Sequence, residues 1–348
     1  MRIRRTFPIV LAVVAIAAAV TLAVQLRRHA PPEPARLLPG GDVFLYFDLG
    51  AARKANLGKS LPAVSHEPQY EQFIGATGFQ FERDLDEAAV VMHYPASWPG
   101  GGTGGTAPDL RSSEVLVGRF HGERFTAYLR QIARSVETYR SVDIFTILVE
   151  GRSLRVAVLG ADSIAASNHN DPAVIQGIID RSKRLASPFG GPSLLRQYYK
   201  HVQLASLAWV VARVDPAAPE ASSLSGIFTE PATVVVSASA LNPLHLRAEA
   251  VHLRAEAFTQ TPDAARGVTD KVNVFVALAR SAETSVGTHG TDADVKGFFD
   301  SLQIRQEGGR AVLTAAVPYG FLRKMLSGSA PDSNLPAVPS GGAPARSR

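Results

Sequence analysis

From Phe7 to Val24 the chain is apolar almost without a break, interrupted only by Pro8 and Thr21. Eighteen helical residues span about 27 Å, close to the roughly 30 Å hydrocarbon core of a bilayer. Pro8 falls in the first turn, where a missing N–H costs little. Beyond this run the pattern turns amphipathic and predicts a water-facing body.

Strands are predicted over residues 42–49, 88–94 and 114–120, each a short apolar or alternating run. Residues 68–77 read as a helix with Pro68 at its first position and Gly78 as its stop. Tyr70, Phe73 and Ile74 form its apolar stripe. Residues 123–136 read as an amphipathic helix with Phe125, Leu129, Ile132 and Val136 on one face. Residues 141–149 and 154–159 read as a hairpin over Glu150-Gly151-Arg152-Ser153. Asp171 then caps a helix opened by Pro172, with Val174, Ile175, Ile178, Ile179 and Leu185 inward.

The second half runs similarly. Strands are predicted over 204–214 and 232–240, with a short helix over 219–228 between them. A further strand covers 244–257. Within it HLRAEA occurs twice, at 245–250 and 252–257, a seven-residue step that suits a helix. The β-branched strand before it and the Asn242-Pro243 turn favour a strand, with a bulge near Val251 where apolar parity switches. Thr261 caps a helix starting at Pro262, with Ala265, Val268, Val272, Phe275 and Ala279 on one face. An irregular insert follows over 281–299. Residues 301–306 and 311–317 form a hairpin over Glu307-Gly308-Gly309-Arg310, and 318–326 close the fold as a helix.

Both halves thus read βαββαββα, and their final hairpins share a Glu-Gly…Arg turn. The predicted fold is α+β: two tandem, diverged units with antiparallel sheets covered by helices, after an N-terminal transmembrane helix. Expected boundaries are a cytoplasmic N-terminus at 1–6, an anchor at 7–26, a Pro-rich spacer at 27–36, units at 37–200 and 201–326, and a disordered tail at 327–348. Chance likeness among common elements is the competing explanation.

Charge sharpens the placement. Arg2, Arg4 and Arg5 precede the apolar run and Arg27 and Arg28 follow it, a bias toward a cytoplasmic N-terminus in the bacterial inner membrane. The bulk of the chain is then periplasmic. A cleaved signal needs small residues after the run, and Val24-Gln25-Leu26-Arg27-Arg28 lacks them. Arg4-Arg5-Thr6-Phe7 resembles a twin-arginine export signal, although cationic starts often contain adjacent arginines. Without those five arginines, 31 Lys and Arg balance 31 Asp and Glu. A neutral body with no basic cluster argues against nucleic acid as a partner. The absence of cysteine excludes disulfides, thiolate metal sites and thiol nucleophiles.

No catalytic, cofactor-binding or metal residue is assigned. His66-Glu67 does not continue to HExxH, and no Gly-x-Ser-x-Gly elbow occurs. His245 and His252 point to opposite faces of a strand. Asn168-His169-Asn170-Asp171 is ligand-rich, but Asp171 serves as a helix cap. His289 with Asp292 and Asp294 is explained better by capping. Asp84 and Asp86 share a face in an extended chain, yet Glu82, Arg83 and Glu87 predict a solvated turn. The Gly100–Gly105 loop lacks the Lys-Ser/Thr step of a phosphate cradle. Trp98, inside that loop, is the candidate partner contact.

The segment Leu37-Leu38-Pro39-Gly40-Gly41-Asp42-Val43 leading to Tyr46-Phe47-Asp48 resembles the outer-domain entry of uncharacterised single-pass bacterial envelope proteins. Thr77-Gly78-Phe79 with Arg83-Asp84-Leu85-Asp86, and Val117-Gly118-Arg119-Phe120, are similar too. The likeness covers about Leu37 to Leu159 and implies no reaction. The layout also looks like inner-membrane parts of secretion, pilus or division machines, an analogy of fold. The expectation is a non-catalytic, membrane-anchored envelope protein that binds or scaffolds an envelope protein partner. The alternative is a tethered enzyme or small-ligand carrier with its site in the cleft between the units.

Overall fold

Alternation in Val43–Asp48 buries Phe44 and Tyr46 on one side and leaves Phe47 exposed on the other. This strand, β1, pairs antiparallel with a neighbour on each edge, so it lies inside a sheet. The computed structural model describes residues 30–55, 66–94, 110–149, 151–184, 191–217, 224, 226–240, 250–286 and 293–322. The further strands are β2 Leu85–His93, β3 Arg111–Gly118, β4 Ser135–Tyr139, β5 Val142–Val149, β6 Arg152–Val158, β7 Ser163–Ser167, β8 Ser206–Val214, β9 Ala232–Ser239, β10 Ala250–Phe258, β11 Gln303–Glu307 and β12 Arg310–Pro318. They form one twelve-stranded sheet in the order β11-β12-β10-β9-β8-β1-β2-β3-β7-β6-β5-β4. The fold is α+β. The sheets of the two expected units are joined edge to edge through β1 and β8, with Tyr46 opposite Trp209.

Outward from that central pair, one half runs β1-β2-β3-β7-β6 and the other β8-β9-β10-β12-β11. The first half adds the hairpin β4–β5 at its edge. The two Glu-Gly…Arg turns do not occupy matching places: one joins β5 to β6, the other β11 to β12. Their likeness is local, because Gly151 and Gly308 both take positive φ, 79° and 62°, which glycine adopts without strain.

Helices cover both faces. On face A lie α1 (Glu33–Leu37), α6 (Ala173–Ser182) and α7 (Ser193–Tyr198). Their Ala35, Ile175, Ile178, Ile179, Leu194 and Leu195 are buried with Phe44, Tyr46, Val91, Val115, Trp209 and Val211 of the sheet. On face B, α2 (Leu49–Lys54), α3 (Pro68–Thr77), α4 (Phe81–Asp84) and α5 (Gly122–Ile132) serve the first half. Phe125 and Leu129 of α5 pack on Phe145, Val156 and Ile164. On the same face of the second half, α8 (Pro262–Val286) packs Val268 against Val214, Ala232 and Ala257, and α9 (Ala293–Ser301) follows it onto β12.

Several boundaries differ from expectation. Within the expected spacer, Glu33–Leu37 is helical and Ala35 is fully buried, so this part packs on the sheet. The helix expected over 123–136 stops at Ile132, where Ala133 turns extended, and Val136 belongs to edge strand β4. Strand β7 and helix α7 were not anticipated. Strand β10 keeps unbroken register with β12 from Ala250 to Phe258, so Val251 carries no bulge there. Phe275 is exposed rather than inward. Helix α8 extends through the start of the expected insert and α9 occupies its end. Residues 7–26, Arg2, Arg4, Arg5, Arg27, Arg28, Trp98, the Gly100–Gly105 loop, 245–249 and 327–348 lie outside the described residues. Among the described helices none is long and apolar enough to cross a membrane.

Trp209 is buried and stacks on Tyr46 with ring centroids 5.4 Å apart. Trp209→Ala should lower stability by about 3–5 kcal/mol. Phe275→Ser, on an exposed helix face, should change it by less than about 0.5 kcal/mol. Urea denaturation followed by circular dichroism measures both, and equal effects would refute this placement of the core.

Candidate functional site

Two features stand out where the halves meet: a pocket at one end of the sheet and, on face B, a half-buried apolar strip that the described helices leave between them. The pocket begins with Gly41-Asp42. A Cβ on residue 41 would stand 2.3 Å from Val91 Cγ2, so glycine alone lets the chain enter beside β2. Asp42 follows, 5 % exposed. Its carboxylate accepts the Tyr94 N–H at 2.9 Å, and its carbonyl accepts the Arg213 N–H at 2.8 Å. Its carboxylate stands 3.8 Å from the Arg213 guanidinium.

Around Asp42 and Arg213 the pocket encloses about 490 Å³. Its polar rim adds Asp215, Thr233, Thr259 and Gln260, and its apolar wall includes Val214, Pro231, Tyr198 and Phe258. The rings of Tyr198 and Phe258 are 5.1 Å apart. β1 brings one half and the ends of β8, β9 and β10 bring the other, so the pocket lies between them. Such volume with convergent polar groups is typical of small-ligand sites.

The strip lies on face B, where the described helices sit over β2–β3 and β5–β7 on one side and over β11–β12 and the adjoining ends of β8, β9 and β10 on the other. Between them Leu45, Val210, Val236, Ala238 and Leu253 are half-buried and Phe47 is exposed. The Lys271 ammonium donates to the Ile227 carbonyl, which turns that side of α8 toward the start of β9. Val274, Phe275 and Leu278 follow Lys271 at helical spacing and are each about 60 % exposed. They form a second exposed apolar cluster, on α8. Clustered exposure of this kind marks interaction surfaces, whereas isolated exposed apolar residues need no explanation.

The residues singled out from sequence are mostly structural. Asp84 is buried rather than solvated, ion-paired with Arg83 at 2.6 Å and near Arg119 at 3.4 Å. The Arg83 hydrogen bond holds its pKa below the ordinary value, opposite to what a general acid needs. Asp86 pairs separately with Arg53. Asp143 binds Arg130 and Thr138 near the sheet edge. His66 contacts Glu71 and Glu82 at the surface. Among the described residues no three His, Asp or Glu side chains are grouped to hold a metal ion.

His93 and His169 do meet, ring centroids 4.8 Å apart and nearly perpendicular. Burial lowers the pKa of both. That of His169 is pushed down to about 4, with the His93 and Arg111 charges adding to burial. Both rings are therefore neutral at pH 7, and a base of pKa about 4 removes protons poorly there. His201 stands 3.5 Å from Glu256. That carboxylate, 2 % exposed, also takes Arg254 at 2.7 Å and Arg310 at 2.9 Å. Sequence reading missed this cluster and the Asp42–Arg213 contact. Their defining pairs, Glu256 with Arg310 and Asp42 with Arg213, have no local signature because each joins strands distant in sequence.

Two outcomes follow. Glu256→Gln leaves two half-buried arginines without their shared anion and should cost about 3 kcal/mol in urea denaturation. His169 has a folded pKa below its unfolded value, so its contribution is complete above about pH 6.5 and is lost as pH falls toward about 4. Glu87 and Glu114, raised by burial, act in the opposite sense. The loss of stability between pH 6.5 and 5 should therefore be shallower in His169→Gln than in the parent. Parallel slopes would exclude a buried neutral ring.

No protein-family model matches the chain. No curated protein matches it. Among solved structures, crystal forms I, III and IV of TP0453 align with TM-scores of 0.44, 0.45 and 0.40. Each is 8 % identical over 86 % of this chain and 98–99 % of the other. At these values the likeness concerns the course of the backbone and carries nothing about function.

Proposed function

We propose that this is a non-catalytic envelope protein, held in the bacterial inner membrane by residues 7–26, that binds another envelope protein in the periplasm through face B. The observation that carries this reading is the half-buried apolar strip between the two sets of described helices, with Val274, Phe275 and Leu278 exposed on α8 of the same face. A strip of alternating small and branched side chains suits the apolar face of a docked helix. The matching outward strand orders also favour reading the halves as diverged tandem units. A second reading, a tethered small-ligand carrier, rests on the pocket between the halves.

Photo-crosslinking from the full chain in membranes tests the first reading. A crosslinking residue at Val236 or Leu253 should yield one discrete adduct, and one at exposed Asp162 should not. Val236→Glu should abolish the adduct made from Leu253 without unfolding the sheet. Equal labelling from both surfaces, or none from the strip, would refute it. A reporter fused after Arg348 should be active in the periplasm; activity confined to the cytoplasm would overturn the placement.

A further inference from the structure

We infer that the pocket between the halves binds a small zwitterion, an apolar α-amino acid or a peptide carrying both termini. Arg213 would take the ligand carboxylate and Asp215 its ammonium. This deepens the carrier reading and rests on it.

Charge is the first ground. Two carboxylates, Asp42 and Asp215, and one guanidinium, Arg213, line the same cavity. A simple anion would approach Arg213 past two like charges. A simple cation would meet Arg213 itself. A molecule carrying both signs, a few ångströms apart, answers both.

Geometry is the second. Asp42 is buried and fixed by the Tyr94 N–H. It stands 3.8 Å from the Arg213 guanidinium. That is beyond the roughly 2.7–2.9 Å of a charge-assisted hydrogen bond. Among the described residues the guanidinium has no closer acceptor, so its paired donors remain available to a carboxylate. Asp42 thus positions Arg213 without occupying it. Asp215 follows two residues later, on the same side of an extended chain. One of its oxygens accepts the Ala217 N–H at 3.0 Å, leaving the other for an ammonium. Arg213 and Asp215 form no ion pair with each other among the described residues.

The body of the ligand is the third. Tyr198 and Phe258 present aromatic surface beside Val214 and Pro231. Arg310 lies 6.0 Å from the Phe258 ring. The buried Glu256 is ion-paired to Arg310, which ties that wall to the second half. A cavity of about 490 Å³ holds a molecule of amino-acid or dipeptide size.

Calorimetric titration of the detergent-solubilised full chain tests this with L-phenylalanine, L-leucine and glycyl-phenylalanine. Each is compared with phenethylamine, which lacks the carboxylate, and hydrocinnamate, which lacks the ammonium. At least one zwitterion should bind saturably, and both single-charge analogues at least tenfold more weakly. Arg213→Gln should erase the advantage over the amine. Asp215→Asn, at an exposed position where folding is safe, should erase the advantage over the acid. If the amine or the acid binds as tightly as the best zwitterion, this inference fails while the carrier reading stands. If no probe binds at millimolar concentration, both fail.

Discussion

Strand β1 pairs with β2 on one edge and with β8 on the other, and through the second pairing two half-sheets become one. Five consecutive residue pairs, Val43–Ala212 to Phe47–Ala208, make this seam. Tyr46 and Trp209 face each other across it and stack. Aromatic cross-strand pairs add about 0.5–1.5 kcal/mol beyond their burial. Phe44 and Val211 extend the same buried row beneath α7. If the seam opened, each half would expose a long unpaired edge and the core beneath it. The pocket would vanish too, because its walls come from both sides.

The antiparallel sense of the seam decides where polar groups gather. It sets the first residues of β1 beside the last of β8, so Asp42 meets Arg213 although 171 positions separate them. The same logic places Glu256 of β10 against Arg310 of β12. Buried carboxylates persist only when partnered; Glu256 finds Arg310 and Asp42 accepts the Tyr94 N–H, both from residues remote in the chain. In the pocket the loosely engaged Arg213 and the exposed Asp215 remain for other uses.

What the chain reveals by itself follows from how local each signal is. Pro68 and Gly78 bracket α3 at the predicted positions because first-turn proline and left-handed glycine act within one turn. Thr261 accepts the Ala264 N–H at 3.1 Å, as a cap should. The hairpin β4–β5 escaped notice because its two-residue turn, Arg140-Ser141, takes positive φ of 48° and 61° without the usual Asn-Gly. Val136 fitted the helical stripe of α5 equally well, and nothing local separates the two. Phe275 lies close to the inward stripe of α8 in angle. Its exposure is not registered by periodicity alone. The pocket was legible only as a location between halves; its residues were not.

The proposed tether and the two surfaces fit one geometry. Six residues separate position 26 from Glu33, a reach of at most about 25 Å. Helix α1, which Glu33 opens, is buried on face A. Under the proposed topology that short connection holds face A near the bilayer and turns face B toward the periplasm. A partner embedded in the same membrane would have to reach around the sheet, whereas one in the periplasm meets the strip directly. Under that reading the strip therefore favours a soluble or periplasm-exposed partner element over a transmembrane one. Were the connection much longer, the body could rotate and this preference would be lost. Under the proposed reading, the length of the link thus decides which surface a partner meets.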